Sequence, residues 1–177
     1  MANIIEVTNQ IGAEVRETLK TRNSCLYFQE TYLLYSLAEN ILKYLVATKK
    51  CWDVNCNLVD ELDAKRIKGE VISDDEYYFD GEKIRNQIKK LRFVDAINEA
   101  FLLVLISHEM KDKLETFRKE RNNLIHELYL FEERNNMEFM KKRLEDAESI
   151  VSELIPVFEH LIFEEIGVDI DEVLETL

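Results

Sequence analysis

A single proline in 177 residues, Pro156, and only four glycines leave this chain almost no punctuation. Proline removes a backbone donor and glycine supplies the left-handed conformations of tight turns, so a β-rich or loop-rich fold needs far more of both. Long segments rich in Leu, Lys and Glu, with apolar residues recurring at helical period, point instead to an all-α chain. A hydrophobic content of 46% is enough for one full-sized core. The expected architecture is a single helical bundle spanning residues 1–177, with two long antiparallel helices and additional shorter ones.

Start and stop signals divide the chain further. Helices are expected over Asn3–Lys20, over Ser24–Lys49 with Ser24 as a cap, and over Val59–Lys68 ending at Gly69. Between the last two, Cys51–Leu58 carries two asparagines and reads as a loop. Ser73-Asp74-Asp75-Glu76 has the capping-box pattern and opens a turn that stops near Gly81. A helix or helix pair follows over Glu82–Ser107 and another helix over Glu109–Phe131. Asn135 or Asn136 caps the last long helix, which Pro156 should kink and Gly167 should end.

The helix over 109–131 contains an anomaly. Met110, Leu114, Phe117, Leu124, Ile125 and Leu128 fall into one apolar stripe, and Arg121 lands in its middle. A cation in a hydrophobic seam has two explanations. It can snorkel, with its stem on the core and its head in water. It can also present its planar fork of donors to two phosphate oxygens, next to a histidine able to move a proton near neutral pH. Arg118, Asn122, His126 and Tyr129 line up as a polar row beside that stripe. A second intruder is Glu39, which shares a face with Tyr32, Tyr35, Leu42 and Val46. Either Glu39 or Asn40 is expected to face the Arg121 helix and orient Arg121 or His126; the alternative is an ion pair at the bundle edge without a catalytic part.

The run Arg121-Asn122, three further residues, then His126 resembles the signature of the HEPN-domain family, the higher eukaryotes and prokaryotes nucleotide-binding fold. The resemblance implies a metal-independent ribonuclease site made by the arginine and the histidine, and a two-fold dimer in which both copies of the motif meet in one composite cleft. Transferred to this chain, His126 moves protons, Arg121 holds the phosphate and Asn122 positions one or the other. Arg118 and Lys119 become outer contacts to RNA phosphate, and Glu39 and Tyr129 orienting residues. A toxin branch of the family has a tyrosine two residues after the histidine; that position is Leu128 here, and Tyr129 comes one later. Positions five apart on a straight helix point about 140° from each other, so convergence needs either a local break at Asn122-Asn123 or the symmetry of a dimer.

Net charge is −13, which argues against a nucleic-acid partner until its distribution is considered. Residues 144–177 carry 11 acidic side chains and no Lys or Arg, so the 23 basic groups all lie in 1–143 against 36 − 11 = 25 acidic ones, a net of −2 there. The acidic C-terminal segment can serve as a docking surface for a basic partner or promote solubility. Lys111, Lys113, Arg118, Lys119 and Arg121 form the basic run nearest the motif; Lys83–Arg92 and Lys141–Arg143 read as solvated helix faces. Cys25, Cys51 and Cys56 do not complete a zinc site, so reduced, mostly buried thiols and no metal or cofactor are expected. The longest apolar run, Ala100–Ile106, is far shorter than the roughly 20 residues that span a bilayer, and the N-terminus lacks signal-peptide features. A soluble, cytoplasmic protein is expected.

Three functions fit these residues. The first is an endoribonuclease acting on single-stranded or loop RNA as a toxin or defence effector. The second is a HEPN-like module without activity that binds nucleotide or pairs with a nucleotidyltransferase or antitoxin. The third is an unrelated helical interaction protein.

Overall fold

The structure, a computed structural model, describes residues 4–73, 79–126 and 136–166. Six α-helices account for most of them, with no strand among the described residues: α1 (Ile4–Lys20), α2 (Ser24–Ile67), α3 (Gly81–Lys89), α4 (Phe93–Leu102), α5 (His108–His126) and α6 (Met137–Glu159), which runs on into a π-helical stretch at His160–Glu165.

The longest helix departs most from the sequence reading. No loop interrupts α2 at Cys51–Leu58; its 44 residues form one rod about 66 Å long. An asparagine in a helix costs only about 0.5 kcal/mol relative to alanine, too little to break a growing hydrogen-bond ladder. The stretch is also stitched by ion pairs from Lys49 to Asp53 (3.2 Å) and from Lys50 to Glu99 of α4 (2.7 Å). Its start is capped by Asn23 rather than Ser24: the Asn23 Oδ1 accepts from the backbone N–H groups of Cys25 (3.0 Å) and Leu26 (3.4 Å). At its end Gly69 takes φ 71°, with the Gly69 N–H donating to the Arg66 carbonyl and the Glu70 N–H to the Lys65 carbonyl, a Schellman closure that needs a residue tolerant of positive φ.

Helix α3 opens at Gly81, one residue from the expected start at Glu82, where the Asp80 carboxylate accepts from the Lys83 N–H at 2.9 Å and caps it. The pattern at Ser73–Glu76 extends into 74–76, outside the described residues. The Glu82–Ser107 region resolves into two helices, α3 and α4. Asn136 caps α6 by accepting from the Phe139 N–H at 3.1 Å. That helix continues through Pro156, and its ladder changes register at the π-helical stretch that follows. Gly167 lies outside the described residues.

The core is built from two long stripes. On α2, Tyr27, Leu34, Tyr35, Ala38, Ile41, Leu42 and Leu45 recur at three- and four-residue spacing; on α6, Met140, Leu144, Ala147, Val151, Leu154 and Phe158 do the same. These two helices share the most extensive interface of the bundle. Helix α1 adds Val15, α3 Ile88, α4 Phe93, Ala96, Ile97 and Ala100, and α5 Leu114 and Phe117. Tyr32, expected on the Glu39 stripe, is instead 43% exposed. The acidic C-terminal segment begins as a core helix, since Leu144 to Glu159 belong to α6 with their apolar side chains inward. Among the described residues no helix is long and apolar enough to cross a membrane.

Candidate functional site

Helix α5 is fastened at its start by the Ser107 hydroxyl, which accepts from the Met110 N–H at 3.1 Å, and in its middle by Leu114 and Phe117, which are sealed in the core. Phe117 stacks against Tyr35 of α2 with ring centroids 4.3 Å apart. One turn further along each helix, Arg121 meets Glu39: Nη1 donates to Oε2 at 2.8 Å. An aromatic rung and an ionic rung thus follow one another between α2 and α5. Their spacing of four residues on both helices places the guanidinium at the edge of the seam, with the Arg121 side chain 22% exposed and that of Glu39 17%. The apolar stripe therefore carries its cation against a carboxylate, with about a fifth of the arginine side chain open to solvent.

The other Glu39 oxygen, Oε1, accepts from Lys43 Nζ at 2.7 Å, and Lys43 also reaches the Lys89 carbonyl at the end of α3 at 3.5 Å. Lys43 did not emerge from the sequence reading. The signal was present, since Glu39 and Lys43 stand four apart in the favourable order for a helical ion pair. The inner Nε atoms of Arg121 and Arg118 are buried and without a hydrogen-bond partner. An unsatisfied buried donor costs about 1–3 kcal/mol, and both lie on the same helix one turn apart.

The remaining site residues are placed unequally. Arg118 is half-buried and its Nη2 donates to Glu115 at 3.3 Å. Lys119, Asn122 and Asn123 are exposed, as is Asn40. His126 closes α5, but its imidazole, like Tyr129, lies outside the described residues. Helix α5 runs without interruption through Asn122-Asn123, so of the two routes to convergence the local break does not occur; two poor helix formers are outweighed by the ladder they join. Positions 121 and 126 therefore stand about 140° apart around the α5 axis.

Charge around α5 is sharply divided. Lys113 is held by Glu109 (3.3 Å) and by Glu153 of α6 (2.8 Å), and Arg143 pairs with Glu120. Lys111 sits over the Phe101 ring, 4.7 Å from its centroid. Between α5 and α6 a groove of about 510 Å³ is lined by Glu109, Asp112, Glu120, Asp146 and Glu153, a wall that repels phosphate. The Tyr35 phenol, buried beneath this region, is pushed above its ordinary value of 10.0, first by desolvation and then by the charge of Glu120, against the opposing pull of Arg143 and Arg121. It stays protonated across the physiological range.

Cys51 and Cys56 are half-buried and unbridged and Cys25 is exposed, so none of the three is fully buried, contrary to the expected mostly buried thiols. Among the described residues no group of three or more His, Cys, Asp or Glu side chains is arranged to hold a metal ion. Comparison with protein-family models, curated proteins and solved structures finds no match for the chain.

Proposed function

We propose that the protein is a HEPN-like endoribonuclease that cleaves single-stranded or loop RNA without a metal, at a site shared by two copies of the chain. The observation that carries this reading is the guanidinium of Arg121, fixed by Glu39 at the rim of the α2–α5 seam on the same unbroken helix that ends in His126. A ribose 2′-hydroxyl beside the scissile phosphate is an internal nucleophile, so the protein has only to move protons and stabilise charge. In the proposed reaction the 2′-oxygen bonds to phosphorus as its proton passes to one imidazole. The P–O5′ bond breaks as a second, protonated imidazole gives its proton to O5′. Arg121 stabilises the phosphorane charge, Asn122 positions the phosphate or the histidine, and Arg118 and Lys119 contact neighbouring phosphates. Two-fold pairing supplies the second His126 and brings each histidine to the other copy's Arg121, which the 140° divergence on one straight helix does not favour. The products are a 2′,3′-cyclic phosphate and a 5′-hydroxyl. A toxin or defence role with an antitoxin or nucleotidyltransferase partner follows from the same resemblance.

The test is incubation of the purified protein with RNA in EDTA beside His126→Ala and Arg121→Ala. Cleavage by the wild-type chain should fall by at least about 100-fold in either variant, the usual span of acid–base and phosphate-stabilising groups. Equal cleavage by all three proteins ends the proposal.

One observation favours a second reading. Arg121 and Arg118 each already have a carboxylate partner, which lowers the charge they can offer a phosphorane and fits a HEPN-like module without activity in which Arg121 serves only binding or an interface. RNA or nucleotide binding that needs Arg121 but yields no product would select that alternative.

A further inference from the structure

We infer that Lys43 is a positioning and charge-balancing residue of the Arg121 site. It holds Glu39 by one oxygen so that the other faces Arg121, and it cancels the carboxylate's charge so that the site remains attractive to a phosphodiester. This rests on the reading of Arg121 as a phosphate ligand.

Glu39 stands between two cations, with Lys43 Nζ at 2.7 Å from Oε1 and Arg121 Nη1 at 2.8 Å from Oε2. All three side chains are mostly withdrawn from water, at 16% exposed for Lys43, 17% for Glu39 and 22% for Arg121. Their charges are therefore screened less than those of a surface pair. Arg121 and Glu39 alone form a pair with no net charge, and an approaching anion would meet a carboxylate only a few ångströms behind the guanidinium. With Lys43 the sum is +1 − 1 + 1, or +1. One phosphodiester charge neutralises the triad.

Lys43 is also anchored from behind. Its ammonium lies 3.5 Å from the carbonyl of Lys89, the last residue of α3, where unpaired carbonyls and the helix dipole favour a cation. A lysine held on two sides keeps its charge beside Glu39, and it makes α3 part of the support of a site built on α2 and α5. An ordinary intrahelical salt bridge would affect stability alone; a charge-balancing one sets the affinity for anions.

Binding of a fluorescent, fully 2′-deoxy oligonucleotide, which is not cleaved because it lacks the nucleophile, separates these roles in the full-length protein. Lys43→Met should bind about fivefold more weakly, the scale of one partly screened charge nearby, and Lys43→Arg should bind as the wild type does. Glu39→Gln, which leaves both cations, should bind more tightly yet cleave RNA more slowly, because the guanidinium loses its anchor. Combining Glu39→Gln with Lys43→Met should restore wild-type affinity. If Lys43→Met binds like the wild type while Arg121→Ala loses binding, the inference about Lys43 fails and the phosphate role of Arg121 stands. If Arg121→Ala also binds normally, the phosphate reading itself fails and the inference falls with it. Should Lys43→Met not fold, Lys43→Gln takes its place: binding like the wild type in that variant overturns the inference, and binding about fivefold weaker upholds it.

Discussion

The two halves of α2 are one helix under different physics. From Tyr27 to Ala47 its apolar residues recur as a buried stripe; from Thr48 to Ile67 only Leu62 is buried. The first half is helical because it is packed. The second is held by its own ladder, by pairs such as Lys50 with Glu99, and by α3. The contrast explains where a site can be built. A carboxylate can be held between two cations at half-buried Glu39, whereas Asp63 on the outer half pairs with Arg66 in open water, both more than half exposed.

Substitutions along this one helix can break the comparison. Leu42→Ala, at a fully buried position, should destabilise the fold by about 3 kcal/mol, and Leu58→Ala on the half-buried outer arm by about 1 kcal/mol, both read from urea unfolding. Equal losses would show that the outer arm is packed as tightly as the inner one. Next in size, Glu39→Ala leaves two half-buried cations facing one another and should cost about 2 kcal/mol, against less than about 0.5 kcal/mol for Asp63→Ala.

A pH effect belongs to the inner half as well. Glu30 has a buried, unpartnered Oε2, and desolvation followed by the charge of Glu14 raises its carboxyl above the ordinary value of 4.5. The folded chain therefore holds this proton more tightly than the unfolded one. Its contribution is fully present below pH 4.5 and is lost as pH rises through the elevated value. Glu30→Gln should raise the melting temperature at pH 7 and flatten its dependence just above pH 4.5; an unchanged profile would remove Glu30 from the account. The smallest expected effect is on the outer arm, where Asn55→Ala at an exposed helical position should stabilise by about 0.5 kcal/mol. A loss instead would mean that Asn55 makes a contact of its own.

What could be read in advance follows the same divide. The all-α class was legible because scarce proline and glycine leave few places to turn, and the Leu114, Phe117 and Arg121 stripe because packing enforces its period. The course of the chain at Cys51–Leu58 was not, since two asparagines look like a loop when the ladder on either side is ignored. The start of α3 was legible to within one residue, but the Asp80 cap that fixes it at Gly81 was not. At the site, Glu39 stood out as a charge in an apolar stripe and meets Arg121, but which neighbour would neutralise it depends on tertiary approach. The four-residue step from Glu39 to Lys43 is written in the sequence, but the anchor of Lys43 at the end of α3 is set by tertiary geometry.

The unbroken course of α2 has a kinetic consequence. Amide protons between Tyr27 and Ala47 should exchange with solvent mainly when the bundle opens, whereas those beyond Cys51 should need only a local release of the outer arm. One continuous rod should thus hold some of the slowest and some of the fastest helical amides of the molecule, with the step between them about two to three turns past the carboxylate that grips Arg121.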